Sequence, residues 1–168
     1  LHRRRHSFPT RRSSDLHKGM IFKVSKMYVD HQEDREDLFQ EIIYQLWKSY
    51  QNFEGKSQFS TWLYRVSINT ALTFLNKEKK KTDNASLTEN IDVQDENSDE
   101  KETQLEFFYK AVHELNPVEK ALIFLFLEGQ SHKEIATNLG ITEVNARVKL
   151  NRTKEKLQQI IKNYGYEF

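Results

Sequence analysis

The strip from residue 82 to residue 106 constrains this chain more than any other feature. It holds nine acidic side chains and one basic one. Its other positions are mostly small or polar, with few large apolar groups. Such a segment buries too little apolar surface to offset the entropy of ordering it, so it reads as a flexible acidic linker. The chain of 168 residues is thereby divided into two blocks, each of small positive charge, behind a basic head with six basic residues and one acidic residue in positions 1–20. The net charge of +1 hides this alternation. Two small domains on a tether follow.

Composition narrows what those domains can be. There is no cysteine, which excludes a disulfide framework, thiolate zinc, iron–sulfur clusters and a cysteine nucleophile. Five glycines and two prolines are too few for a β fold rich in tight turns, so helices are expected. No apolar run approaches 18 residues, so the chain is not expected to be membrane-embedded. The fold class expected is all-α, with two small helical domains.

Residues 1–16, LHRRRHSFPTRRSSDL, have neither a helical nor a strand period and do not begin with Met. A basic arm for nucleic acid and a targeting peptide are two readings. A third is preferred: SFPTRRSSDL resembles translated sequencing-adapter read-through, a non-native segment. The first domain is therefore taken as 17–81, the linker as 82–105 and the second domain as 106–168.

In the first block, Met20, Ile21, Val24 and Met27 have helical spacing. A second helix is predicted over 34–50, where Leu38, Ile42 and Leu46 recur beside Ile43 and Trp47. Asp34, Glu36 and Asp37 crowd its first turn and Lys48 lies near its end, as the helix dipole favours. After a loop containing Gly55, a long helix is predicted over 57–81, ending in a lysine cluster. Trp47, Phe53, Phe59, Trp62 and Tyr64 are expected to pack in the core or against the loop. The rival use is base stacking beside a basic helix. The carboxylates at 34, 36, 37 and 41 lack any histidine at ligand spacing, so a metal site is not expected.

The second block carries more specific punctuation. Asn116 before Pro117 reads as an N-cap with proline at the first helical position. Ser131 and Glu134 have capping-box spacing. Two helices joined by Leu139-Gly140-Ile141-Thr142 form a helix-turn-helix pattern. On the last helix, Ala146, Leu150, Thr153 and Leu157 make the inward stripe. Val144, Arg147, Val148, Asn151 and Arg152 then face outward or flank it. An exposed Arg and Asn can reach base edges in a major groove, while Lys149 and Lys154 suit phosphates.

Both blocks together resemble a known family. EDLFQE (36–41), LW (46–47) and FEGKSQFSTWLYRVSIN (53–69) resemble the second conserved region of bacterial RNA polymerase sigma factors of the extracytoplasmic-function (ECF) group. LNPVEKALIFLFLEGQSHKEIATNLGITEVNARVKLNRTKEKL (115–157) resembles their fourth region. The resemblance implies a transcription initiation factor with two partners, core RNA polymerase and promoter DNA. It implies that Asp37, Gln40 and Glu41 dock on polymerase, with Trp47 supporting that helix. Tyr64, Arg65 and Asn69 would lie near the −10 element, which the segment 53–69 recognises and opens by taking a base out of the stack. Lys77, Lys80 and Lys81 would hold its phosphates. Arg147, Val148, Lys149, Asn151 and Arg152 would read the −35 element. An anti-sigma factor is a further partner common in the group. No catalytic residue, metal, cofactor or small-molecule substrate is implied, and the place of action is the cytoplasm. Ala146 and Asn151 stand where relatives often carry a larger apolar residue and a His or aromatic, so no promoter sequence is implied. The alternatives are a stand-alone helix-turn-helix regulator, a small enzyme, and an interaction module whose basic helices meet an acidic protein.

Overall fold

The computed structural model describes the backbone of residues 11–82 and 100–165, with side chains over 17–80 and 104–165. Seven helices are present among these residues: α1 (Arg11–Tyr28), α2 (Gln32–Tyr50), α3 (Phe59–Thr82), α4 (Glu100–His113), α5 (Pro117–Leu127), α6 (His132–Leu139) and α7 (Glu143–Asn163). The chain is all-α, as the sequence implied.

The first unit is α1, α2 and α3. Val24, Leu38, Ile42 and Ala71 are fully enclosed at its centre, with Met20, Met27, Leu63 and Ile68 around them. Ser67 is buried too, and its hydroxyl donates to the Leu63 carbonyl one turn back, so no polar group is orphaned there. The aromatics at the far end form a half-buried cluster. Phe53 and Phe59 flank Trp62 with ring centroids 5.1 and 5.4 Å away, and Tyr50 meets Trp62 edge-on at 6.2 Å. Phe53, Phe59 and Trp62 are thus loop-packing residues. They clamp the connection between α2 and α3, where Gly55 takes a positive φ of 70°.

Two helix starts and one side chain lie where the sequence pattern did not place them. Helix α1 begins at Arg11, inside the stretch 1–16 set aside as aperiodic and foreign. A helix already nucleated by the apolar residues after 19 gains one hydrogen bond for each residue it adds, so an aperiodic stretch extends it. Positions 1–10 lie outside the described residues. Helix α4 begins at Glu100, inside the supposed linker, because it continues a helix anchored by Ala111 and Val112 in the second core. Positions 83–99, the rest of the acidic strip, also lie outside the described residues. Trp47, expected to pack inward, is 65 % exposed, since only Leu38 and Ile42 of α2 are fully buried.

The second unit is α4 to α7. The starts of α5, α6 and α7 are each capped by a side chain. The Asn116 side chain accepts from the Val118 and Glu119 N–H groups, and Glu119 returns a bond to the Asn116 N–H. Ser131 and Glu134 do the same at α6, and the Thr142 hydroxyl accepts from Asn145 at α7. Gly140 closes α6 with φ 65°, a left-handed conformation that costs other residues about 1–2 kcal/mol. Its turn lets Ile135, Ala136, Ala146 and Leu150 pack together with Leu122 and Phe124 of α5. The inward stripe of Ala146, Leu150, Thr153 and Leu157 is buried as expected.

The units are not held apart. Helices α4, α5 and α6 of the second pack on α1 and α3 of the first. The Tyr28 hydroxyl donates to the Pro117 carbonyl at 2.9 Å, and buried Lys120 lies over the Tyr28 ring. The sequence led to two tethered domains and contained no sign of this contact.

Candidate nucleic-acid and polymerase interfaces

Helix α7 presents the first surface. Its inward stripe is filled by apolar contacts, so the opposite face is left to solvent. Arg147, Val148, Lys149, Asn151 and Arg152 are all exposed there, and so is Val144. All five residues assigned to the −35 element therefore share one open helical surface. The only ion pair of the Arg147 guanidinium among the described residues is to Glu143, one turn back, at 3.8 Å. A pair this long and this exposed contributes little and leaves the guanidinium available. At the edge of this face the Lys154 ammonium lies 4.6 Å from the centroid of the Phe126 ring. Two alternating apolar groups, Val144 and Val148, beside Arg and Asn make a face suited to base edges and thymine methyls.

Helix α3 presents the second. Asn69, Lys77 and Lys80 are exposed on it, spaced by about two turns and one turn. The backbone of Lys81 continues the helix, and its side chain lies outside the described residues. Asn69 and Lys77 border an open groove of about 490 Å³ between α2 and α3, with Gln45, Thr70 and Thr73 on its walls. Glu41 lines the same groove from α2, where it accepts from the Gln45 amide. One residue assigned to polymerase thus sits opposite two assigned to DNA.

Tyr64 and Arg65, one turn earlier, face the second unit. The Tyr64 ring stands edge-on to Phe124 at 5.8 Å, and its hydroxyl donates to Glu128 at 3.3 Å. Burial and the Glu128 carboxylate push this phenol up to about 12, so it remains a neutral donor. The Arg65 guanidinium donates to the Thr137 carbonyl at 3.1 Å. Arg65 remains exposed and stands one turn before Asn69 on the same side of α3, while Tyr64 is half-buried against the second unit.

The outer face of α2 is the third surface. Asp37 and Gln40 are exposed, and Tyr44 and Trp47 continue their row at helical spacing. The resemblance implies Asp37, Gln40 and Glu41 as the docking residues with Trp47 as a support, and leaves Tyr44 out. The row of 37, 40, 44 and 47 was itself the available signal that the two aromatics share that face. No group of three or more His, Asp or Glu side chains that could hold a metal occurs among the described residues. Among them, too, no helix is long and apolar enough to cross a membrane.

Comparison with known proteins identifies both units. Residues 15–81 match the family described as Sigma-70 region 2, and residues 108–157 match Sigma-70, region 4. The RNA polymerase sigma factor SigV of Bacillus subtilis is 30 % identical over 151 residues, an alignment covering 84 % of this chain and 89 % of SigV. The chain belongs to the sigma-70 family, in its ECF group.

The ECF sigma-E factor of Haemophilus influenzae is 29 % identical, with 76 % of this chain and 75 % of that protein covered. The ECF sigma factor SigG of Mycobacterium tuberculosis is also 29 % identical over 76 % of this chain, but the chain spans only 42 % of its length. Among solved structures, the sigma factor RpoE of Bartonella quintana, crystallised with the anti-sigma factor NepR, superposes with a TM-score of 0.72. The identity is 19 %, over 90 % of this chain and 95 % of RpoE. CnrH in complex with the cytosolic domain of CnrY gives a TM-score of 0.65 at 15 % identity, over 90 % of this chain and 86 % of CnrH. These two likenesses concern the fold. The family match at residue 15 reaches into the segment set aside as foreign, in line with the helical backbone found there.

Proposed function

We propose that this chain is a transcription initiation factor that carries core RNA polymerase to specific promoters in the cytoplasm. The observation that carries the reading is the pairing of region 2 with region 4, in that order, with an exposed Arg- and Asn-bearing face on the second helix of the helix-turn-helix. A regulator that binds DNA alone would need only the second unit. The region 2 unit ahead of it favours a polymerase partner.

In this reading the work divides by unit. The first, from 17 to 81, meets polymerase through the α2 face bearing Asp37, Gln40 and Glu41, together with the exposed rings of Tyr44 and Trp47 in the same row. Aromatics at a rim of polar groups are the residue types that anchor protein interfaces. Helix α3 and the preceding loop recognise and open the −10 element. Tyr64, Arg65 and Asn69 lie near the displaced base, and Lys77, Lys80 and Lys81 neutralise phosphates. The second unit, from 106 to 168, sets Arg147, Val148 and Asn151 against −35 base edges, with Lys149 and Arg152 toward the backbone. The acidic strip of 82–105 connects them. Polymerase supplies the catalysis and the nucleotide substrates. An anti-sigma factor is a further partner, as NepR is for the sigma factor RpoE.

Mixing the protein with bacterial core polymerase and a library of genomic fragments tests this. New transcripts whose start sites share two spaced sequence elements are expected only when both proteins are present. Specific duplex binding without polymerase, together with no new transcripts, would move the assignment to a stand-alone regulator.

A further inference from the structure

The loop between α2 and α3 is held to the fold by very little. Of residues 51–58, every one but Phe53 is exposed. Its backbone is bonded at the near end, where the Asn52 and Phe53 N–H groups donate to the Ser49 and Tyr50 carbonyls. Gly55 then turns it with a positive φ of 70°. Phe53 packs edge-on to Phe59, the first residue of α3, with ring centroids 5.8 Å apart. Phe59 is itself braced from a third element. The His17 imidazole of α1 stands edge-on to it at 5.3 Å, with 67° between the planes. Burial moves the His17 pKa below its ordinary 6.5, so at neutral pH the ring is uncharged and packs as an aromatic edge.

We propose that His17 is a positioning residue for promoter opening: by bracing Phe59 it fixes the Phe53 anchor and holds the loop in the shape that captures a base of the −10 element. The proposal rests on the assignment of residues 53–69 to that element in the preceding section. Taking a base out of the stack costs a few kcal/mol, which the protein must return through contacts with the displaced base. A mobile loop spends part of that return on its own ordering, and a loop already ordered does not. Phe53 is the one side chain of the loop that packs inward, so the ordering passes through the Phe53–Phe59 contact. His17 secures that contact from a helix that reaches the loop only through the fold. It belongs to neither the exposed row of α2 nor the open face of α7, so its effect should fall on opening and spare the docking of polymerase.

The test uses the full chain, bacterial core polymerase and a promoter from which the pair initiates, with 2-aminopurine placed in the −10 element to report opening. His17→Ala should slow opening about fivefold, the scale of one edge-to-face ring pair. His17→Phe, which keeps a ring at the site, should restore most of the rate. The core concentration giving half-maximal initiation should be the same for all three proteins. In the free chain, His17→Ala should speed hydrogen exchange at the Asn52 and Phe53 amides by a similar factor. Opening by His17→Ala as fast as by the unaltered protein would overturn the proposal and leave the function standing. So would a loss of core affinity and of thermal midpoint in step with opening, which would make His17 a packing residue only. No initiation by the unaltered protein would overturn the function and the proposal together. Phe53→Ala, in the exposed loop, supplies a second variant. It should slow opening as well, and adding His17→Ala to it should slow opening little further, because both act through one contact. Full additivity of the two losses would overturn the route through Phe53.

Discussion

Single side chains divide into those that shape the second unit and those it displays. Asn116 and Ser131 each satisfy helix N–H groups that would otherwise be orphaned. Asn116→Ala and Ser131→Ala should each lower unfolding free energy by about 1 kcal/mol in urea titrations. The partner carboxylates set an acid limit. Burial would raise Glu119, but Lys156 and the Asn116 N–H outweigh it and hold it below its ordinary 4.5. Bonds from the Ser131 N–H and hydroxyl lower Glu134 likewise. Both folded values lie beneath the unfolded ones, so the stabilisation is complete above about pH 4.5 and is lost as pH falls through the lowered values. Thermal midpoints followed from about pH 6 to pH 3 should therefore drop in the acid range, and less steeply for Glu119→Gln. Asn138 is the opposite case, buried with neither amide atom bonded. Asn138→Leu, which keeps the branching at Cγ in a somewhat larger side chain, should raise stability by about 1 kcal/mol by removing that desolvation cost.

At the scale of the helix, the two faces of α2 should answer to different assays. Ile42 is fully enclosed, and Ile42→Ala should cost about 2–5 kcal/mol of stability. Trp47→Ala removes an exposed ring and should leave the unfolding midpoint nearly unchanged. Its loss should appear instead in the affinity for core polymerase, by about 2 kcal/mol or thirtyfold if the ring is an interface anchor. Equal losses in both assays would return Trp47 to a packing role. Helix α7 offers the matching experiment for DNA. Arg147→Ala should weaken initiation about tenfold or more at promoters that depend on the upstream element. Lys149→Ala should weaken binding across sequences and flatten its salt dependence, the mark of a phosphate contact.

For the whole molecule, the packing of the second unit on the first makes the units report on each other. Both tryptophans, Trp47 and Trp62, lie in the first unit, while Leu150 is enclosed in the second. Leu150→Ala should shift the midpoint seen by tryptophan emission as well as that seen by far-UV circular dichroism, because unfolding the second unit removes contacts from the first. An unmoved emission midpoint would mean that the units melt independently. That coupling marks the limit of what the residues disclosed on their own. Helices α5, α6 and α7 were legible almost to the residue, because Asn116, Ser131, Gly140 and Thr142 act through hydrogen bonds and dihedral angles a few positions away. The open face of α7 followed from period alone, since its inward stripe is regular. Trp47 could not be placed so, because α2 has two apolar rows and only the packing of α1 and α3 chooses between them. The start of α1 at Arg11 and of α4 at Glu100 likewise reflect helices extended from anchored cores, not local pattern. The sequence determined the helices, their caps and the membership of the two sigma regions. Tertiary structure alone decided which side of α2 meets solvent and that the second unit rests on Tyr64 and Arg65, since both are contacts between residues far apart in the chain.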